Sequence, residues 1–166
     1  MTGALVAVCG VSEAAQTGRV SRLVATELAR RAAPGAVLLT SARGGAAGGL
    51  APALERHTLV VADAGPVDEE AGEVLRRAAV VVCTFPVDIR LPTLARALTS
   101  SAAQCAGSAR WVVMATSRAE AAVADVRRLA TWLPCSRCTT TLLPADAEDD
   151  DAATELATTT LLGALT

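Results

Sequence analysis

Lysine is absent from the 166 residues: all 15 basic side chains are arginine. Tyrosine is absent too and phenylalanine occurs once, so a chain that is 52% hydrophobic is only 2% aromatic. Its core is therefore built from Ala, Val and Leu, and the length suits one domain over residues 1–166 with a sizeable core. A Lys-free, Ala/Arg-rich composition accompanies GC-rich bacterial genomes. Strong net charge is lacking as well. A formal charge of −2 creates no field that would draw nucleic acid, so none is expected as a direct partner. Long apolar runs are missing, because charges interrupt every longer stretch, and no membrane span is expected. No cationic segment precedes an apolar one at the start, so no secretory leader is expected. The expected location is cytoplasmic, where the five cysteines stay reduced.

What is present is organised around residues 4–33. Leu5, Val6, Ala7 and Val8 form an unbroken apolar run ending at Cys9-Gly10, the pattern of a strand covered on both faces. Val20, Leu23, Val24 and Leu28 then recur at helical spacing among Arg19, Arg22, Glu27, Arg30 and Arg31. Strand, loop and helix are the frame of a phosphate-binding loop, since a helix N-terminus offers unpaired N–H groups to an anion. A working loop reads G-x-x-x-x-G-K-[ST]. With Gly18 on the second glycine, the first glycine becomes Glu13, the lysine Arg19 and the hydroxyl residue Val20. Glu13 puts a carboxylate where phosphate should sit, and Arg19 cannot follow a lysine's compact path to the outer phosphates. Val20 lacks the hydroxyl that would hold magnesium, and Ser21 comes one residue late for that role.

The rest of the chain alternates. Strands are expected over residues 36–40, 57–62, 79–84, 111–116 and 139–143, and helices over 66–78, 89–105, 117–133 and 152–165. A glycine-rich loop spans residues 41–52, with one short helical turn toward Glu55. The expected fold is α/β: a three-layer, mostly parallel sheet of about six strands flanked by helices, with right-handed crossovers. Asp63 follows the third strand, where open α/β sheets bind ligands; the simpler reading is that it caps a turn. His57, the only histidine, has no evident partner and reads as structural. Cys9 and Cys83 read as core residues at strand ends, and Cys105 as one at a helix end. Cys135-x-x-Cys138 is a single pair where a structural zinc site needs four ligands, so no metal is expected there. The segment after Cys9-Gly10 lacks the three glycines of a dinucleotide-binding turn.

The order of these segments resembles the ParA/MinD class of P-loop ATPases (the SIMIBI class), including TadZ/CpaE-like members tied to pilus assembly and the septum-site-determining proteins. The resemblance runs through VAVCGVSEAAQTGRVSRLVATELARR, HTLVVADAGP, AGEVLRRAAVVVCTFPVDIRLPTLARAL and RWVVMATSR. It implies a P-loop-like fold with vestigial cofactor-binding positions at Gly18, Arg19, Ser21 and Asp63, and no catalytic residue. The family's early signature lysine is Ala14 here, its acidic switch segment reads Thr40-Ser41-Ala42-Arg43, and its base-reading Asn region is Ala115-Thr116-Ser117. The function implied is a catalytically inactive scaffold or adaptor that binds a protein partner and needs no cofactor. That partner is an active relative, a pilus, secretion or division component, or a second copy. The alternative is an ATPase that binds ATP and Mg with Arg19 in place of lysine. The face at the strand C-termini is the expected interface, with Arg43 on it and Phe85 read either as its anchor or as a packing residue.

Overall fold

A computed structural model of the chain describes residues 3–12, 16–42, 49–86, 92–93, 96, 100, 109–116 and 138–143. The elements are β1 (Ala4–Gly10), α1 (Thr17–Arg31), β2 (Val37–Ser41), α2 (Leu50–Arg56), β3 (Leu59–Pro66), α3 (Glu69–Arg77), β4 (Val80–Phe85), β5 (Arg110–Thr116) and β6 (Cys138–Leu143). Among the described residues six strands lie in one sheet, ordered β2-β3-β1-β4-β5-β6, and every neighbouring pair is parallel. The expected helices over 89–105, 117–133 and 152–165 fall wholly or largely outside the described residues, as do Cys105 and Cys135.

Alternate residues of each strand build two separate cores. Leu5, Ala7 and Cys9 join Val60, Ala62, Ala64, Val81, Cys83 and Phe85 beneath α2 and α3, which contribute Leu50, Val74 and Leu75. Val6 and Val8 join Val61, Val80, Val82 and Val112 beneath Val20, Val24 and Leu28 of α1. A strand buried on both faces has no polar positions to alternate, hence the unbroken apolar runs. The placement of the helices follows from handedness. The connection from β1 runs outward to the edge strand β2, whereas those from β2 and β3 run back the other way. Right-handed crossovers in opposite directions lie on opposite faces, so α1 covers one side and α2 and α3 the other.

Local chemistry sets the helix ends. Asp68 caps α3, its Oδ1 accepting from the Ala71 N–H at 2.9 Å. Glu69 and Glu70 in the first turn and Arg76 and Arg77 in the last complement the dipole. This helix begins three residues later than its sequence suggests, because β3 continues through Asp63-Ala64-Gly65 to Pro66. β3 keeps its pairing by a bulge: Val8 pairs with Asp63 but Cys9 with Gly65, leaving Ala64 as the extra residue. Gly65 sits at φ 64°, a conformation that a side chain would strain.

At the opposite end of the sheet, Gly3 donates to the Leu54 carbonyl at 2.7 Å. A Cβ at Gly3 would run into the His57 carbonyl oxygen, so this approach requires glycine. His57 does have a partner, the Gly35 carbonyl at 3.2 Å from Nδ1. The ring ties the turn before β2 to the start of β3, a structural role. No helix among the described residues is long and apolar enough to cross a membrane.

Phe85 is the last residue of β4 rather than part of a loop, and it is only 2% exposed, inside the core under α2 and α3. Burial removes it as an interface anchor. Replacing it with Ala is expected to cost about 3–5 kcal/mol of stability through the cavity left in an otherwise aromatic-poor core. Chemical denaturation measures this, and a loss below about 1 kcal/mol would mean the ring is not packed there.

Candidate functional site

The C-terminal end of β1 is the switch point of the sheet, where chain direction reverses and open α/β folds place ligands. Three backbone and side-chain contacts close it. Val67 N–H donates to the Gly10 carbonyl at 3.0 Å and Val11 N–H to the Thr84 carbonyl at 3.1 Å. The buried Thr84 hydroxyl donates to the Cys9 carbonyl at 3.2 Å. Residues 13–15, with Glu13, and 43–48, with Arg43, lie outside the described residues.

The chain enters α1 through Gln16, which holds a left-handed conformation at φ 53° and offers no side-chain cap. Its carbonyl accepts from the Arg19 and Val20 N–H groups, each at 3.1 Å. The first turn contains no acidic residue. Negative charge comes instead from β3. The Asp63 carboxylate accepts from the Gly65 N–H through Oδ1 at 3.0 Å. Its Oδ2 lies only 3.2 Å from where a Cβ on Gly18 would stand. The bulge in β3 therefore aims a carboxylate at the first turn of α1, where the helix dipole favours it.

The structure thus brings together Gly18 and Asp63, two of the four positions singled out from sequence. The other two behave differently. Arg19 directs Nη1 to the Gln16 side-chain oxygen at 3.1 Å, an exposed contact within its own helix turn. Ser21 is 1% exposed, and its hydroxyl finds no hydrogen-bond partner among the described residues. Val20 is fully buried among the valines beneath α1, so a hydroxyl at that position would meet the core. Glu27 is also buried on α1 and pairs with Arg30.

A further juxtaposition was not legible from the sequence. Cys9 and Cys83 are register partners on β1 and β4, both fully buried and unoxidised. Their adjacency depends on β4 docking beside β1, which sequence order does not disclose. The Cys83 thiol hydrogen-bonded beside it, reinforced by burial, holds the Cys9 thiol well above its ordinary range. Among the described residues, no three His, Cys, Asp or Glu side chains converge as a metal cluster.

No family model and no curated protein matches the chain. Among solved structures it is similar to the azoreductase from Bacillus anthracis str. Sterne, at 14% identity and a TM-score of 0.33, over 97% of this chain and 96% of that one. A likeness of that size carries no argument about this protein. The strand order itself differs from both the 3-2-1-4-5-6 dinucleotide-binding sheet and the 2-1-3-4-5 flavodoxin-like sheet, because β3 stands between β1 and β2.

Two outcomes follow. Glycine-to-alanine replacement inside a helix ordinarily stabilises by about 1 kcal/mol. Gly18→Ala is expected to give no gain in the parent chain, where the methyl crowds Asp63, and a gain of about 0.5–1 kcal/mol in an Asp63→Ala background. Equal effects in the two backgrounds, read by urea denaturation, would separate these residues.

The second outcome concerns alkaline pH. With the folded Cys9 thiol raised, the unfolded chain loses its proton first, so the stabilising effect is complete below the unfolded thiol value of about 8.5. Stability falls as pH rises above that, with a slope approaching about 1.4 kcal/mol per pH unit for this one group. The absence of Lys and Tyr leaves cysteines as the main side chains titrating in this range. Denaturation from pH 7 to 10 checks it, and a Cys9→Ala chain is expected to show a shallower decline. An unchanged slope in that variant would contradict the assignment.

Proposed function

We infer that the chain is a catalytically inactive, ParA/MinD-like scaffold that works by binding a protein partner. The observation that carries this reading is the pairing of Gly18 with Asp63 at the first turn of α1, beside an exit from β1 lacking phosphate chemistry. The frame is that of a phosphate loop with its acidic strand next to it. Yet the cation at Arg19 is tied to Gln16, position 20 faces valines, and a carboxylate stands at the helix N-terminus. A nucleotide phosphate approaching there would meet negative charge without a lysine or a magnesium-holding hydroxyl to offset it.

The C-terminal ends of β1, β2, β3 and β4 lie at one end of the parallel sheet, where open α/β folds present contact residues. The partner on this reading is an active ParA/MinD-like relative, a component of pilus, secretion or division machinery, or a second copy of the chain. The role is that of an adaptor or positioning factor.

The expected biochemical result is no magnesium-dependent ATP hydrolysis above background. The loss of a phosphate-site cation alone is worth about 10³–10⁵ in phosphoryl-transfer rate. Hydrolysis that disappears in Asp63→Ala would overturn the reading. Its positive arm is capture of a partner from the source cell by the tagged chain. Arg43→Glu is expected to abolish that capture while circular dichroism stays unchanged; capture that persists undiminished would move the interface elsewhere.

A further inference from the structure

β2 stands at one end of the sheet, and among the described residues no strand pairs with its outer side. Its bonds to β3 fix which backbone groups face outward. The Ala36 carbonyl accepts from the Leu59 N–H at 3.0 Å, and the Ala42 N–H donates to the Asp63 carbonyl at 2.9 Å. Backbone groups alternate sides along a strand, so the even-numbered residues bond inward while Val37, Leu39 and Ser41 turn N–H and C=O away from β3. The Ser41 carbonyl already accepts from the Thr40 hydroxyl at 3.2 Å. Val37 and Leu39 present two donors and two acceptors along the edge.

Natural edge strands are usually blunted by charge, proline or a bulge. β2 has none of these. Residues 36–42 read AVLLTSA, without charge or proline, and the register with β3 is unbroken from Val37 to Ser41. Leu39 is 39% exposed, the large hydrophobic side chain left to solvent among the described residues. It shares a strand face with Val37, which packs partly against the valine layer beneath α1, while Leu38 packs against the opposite core.

The shape that complements this edge is the same edge of a second copy. A closed pair needs a two-fold axis. An axis along the strands would set each outward group against its own counterpart, so the two strands must run antiparallel. Antiparallel bonding then joins outward residues in one of two registers. Centred on Leu39, it sets Val37 against the partner's Ser41 and Leu38 against the partner's Thr40. Centred on Leu38, it sets Leu39 against the partner's Val37 on the α1 face and Leu38 against the partner's Leu38 on the other, apolar with apolar throughout. We propose that β2 pairs antiparallel with β2 of a second copy, centred on Leu38, through four hydrogen bonds between Val37 and Leu39 of the two chains. The sheet then continues across both chains. One strand pair buries less than the roughly 1,200 Å² of a stable interface, so the dimer is reversible. This edge is not the strand-end face, so the inference does not depend on the ParA/MinD-like reading.

Sedimentation of the full chain over a range of concentrations tests the pairing. The expected mass is that of one chain when dilute, rising toward twice that on concentration. Leu39→Lys, at an exposed position, should hold the mass at one chain with circular dichroism unchanged. Cross-linking reads the register separately, in a chain carrying Cys105→Ser, Cys135→Ser and Cys138→Ser, with Cys9 and Cys83 buried. Adding Leu38→Cys should give a disulfide-linked dimer under diamide, because opposed residues of a non-hydrogen-bonded pair have Cα atoms about 4.5 Å apart, within disulfide range. Thr40→Cys in the same background should link far less. A one-chain mass at every concentration, doubling that survives Leu39→Lys in a folded chain, or Thr40→Cys linking as readily as Leu38→Cys would each overturn the proposal.

Discussion

β1 is buried on both faces and hydrogen-bonded on both edges, and the rest of the molecule depends on that confinement. Its side chains meet α1 on one side and the α2–α3 layer on the other, while β3 and β4 take its two edges. Each fully buried Val or Leu contributes about 1.5–3 kcal/mol, and close packing rather than bulk must supply the remainder in a chain so poor in aromatics. The valine layer beneath α1 shows the consequence: β-branched side chains with few rotamers stack against one another and fix the depth of the helix. The α2–α3 side is more mixed in composition, combining Ala, Val and Cys with Leu, Phe and Trp.

Fixing α1 at that depth decides what its first turn can do. Val20 and Ser21 are drawn into the core by the same stripe that anchors Val24 and Leu28. The solvent-facing end is left to Gly18 and Arg19. The bulge in β3 then brings the Asp63 carboxylate to a helix start that has no acid of its own. This sets negative charge near the positive end of the helix dipole, supplied from a neighbouring strand. The same small residue that lets the carboxylate approach, Gly18, is the one glycine of the phosphate-loop pattern retained at its expected position.

Much of the scaffold was legible because its strands are apolar on both faces: β1, β4 and β5 announce themselves as unbroken runs bounded by turn residues. The helical stripe on α1 already pointed Val20 inward. Legibility ended where structure depends on pairing. Asp63-Ala64-Gly65-Pro66 has the composition of a turn, yet it continues β3 because a bulge lets it stay hydrogen-bonded to β1. That continuation also moved the start of α3 to Glu69. Phe85 beside a proline reads as loop, but the extra strand residue places it in the core. The His57–Gly35 contact and the Cys9–Cys83 pair join residues far apart in sequence, so neither could be seen before the strand order was known.

The central proposal is that the Asp63 carboxylate beside Gly18 stands at the first turn of α1 in place of a phosphate. Amide NMR reports on this directly, since glycine resonances are well separated and Gly18 and Gly65 flank Asp63. Magnesium-ATP, ADP and inorganic phosphate are titrated in turn into the labelled chain while these two amides are followed. The account predicts that neither resonance shifts in a saturable way with any of the three. Saturable movement of Gly18 and Gly65 together, lost in Asp63→Asn or Gly18→Ala, would contradict it and restore this turn as a working phosphate site.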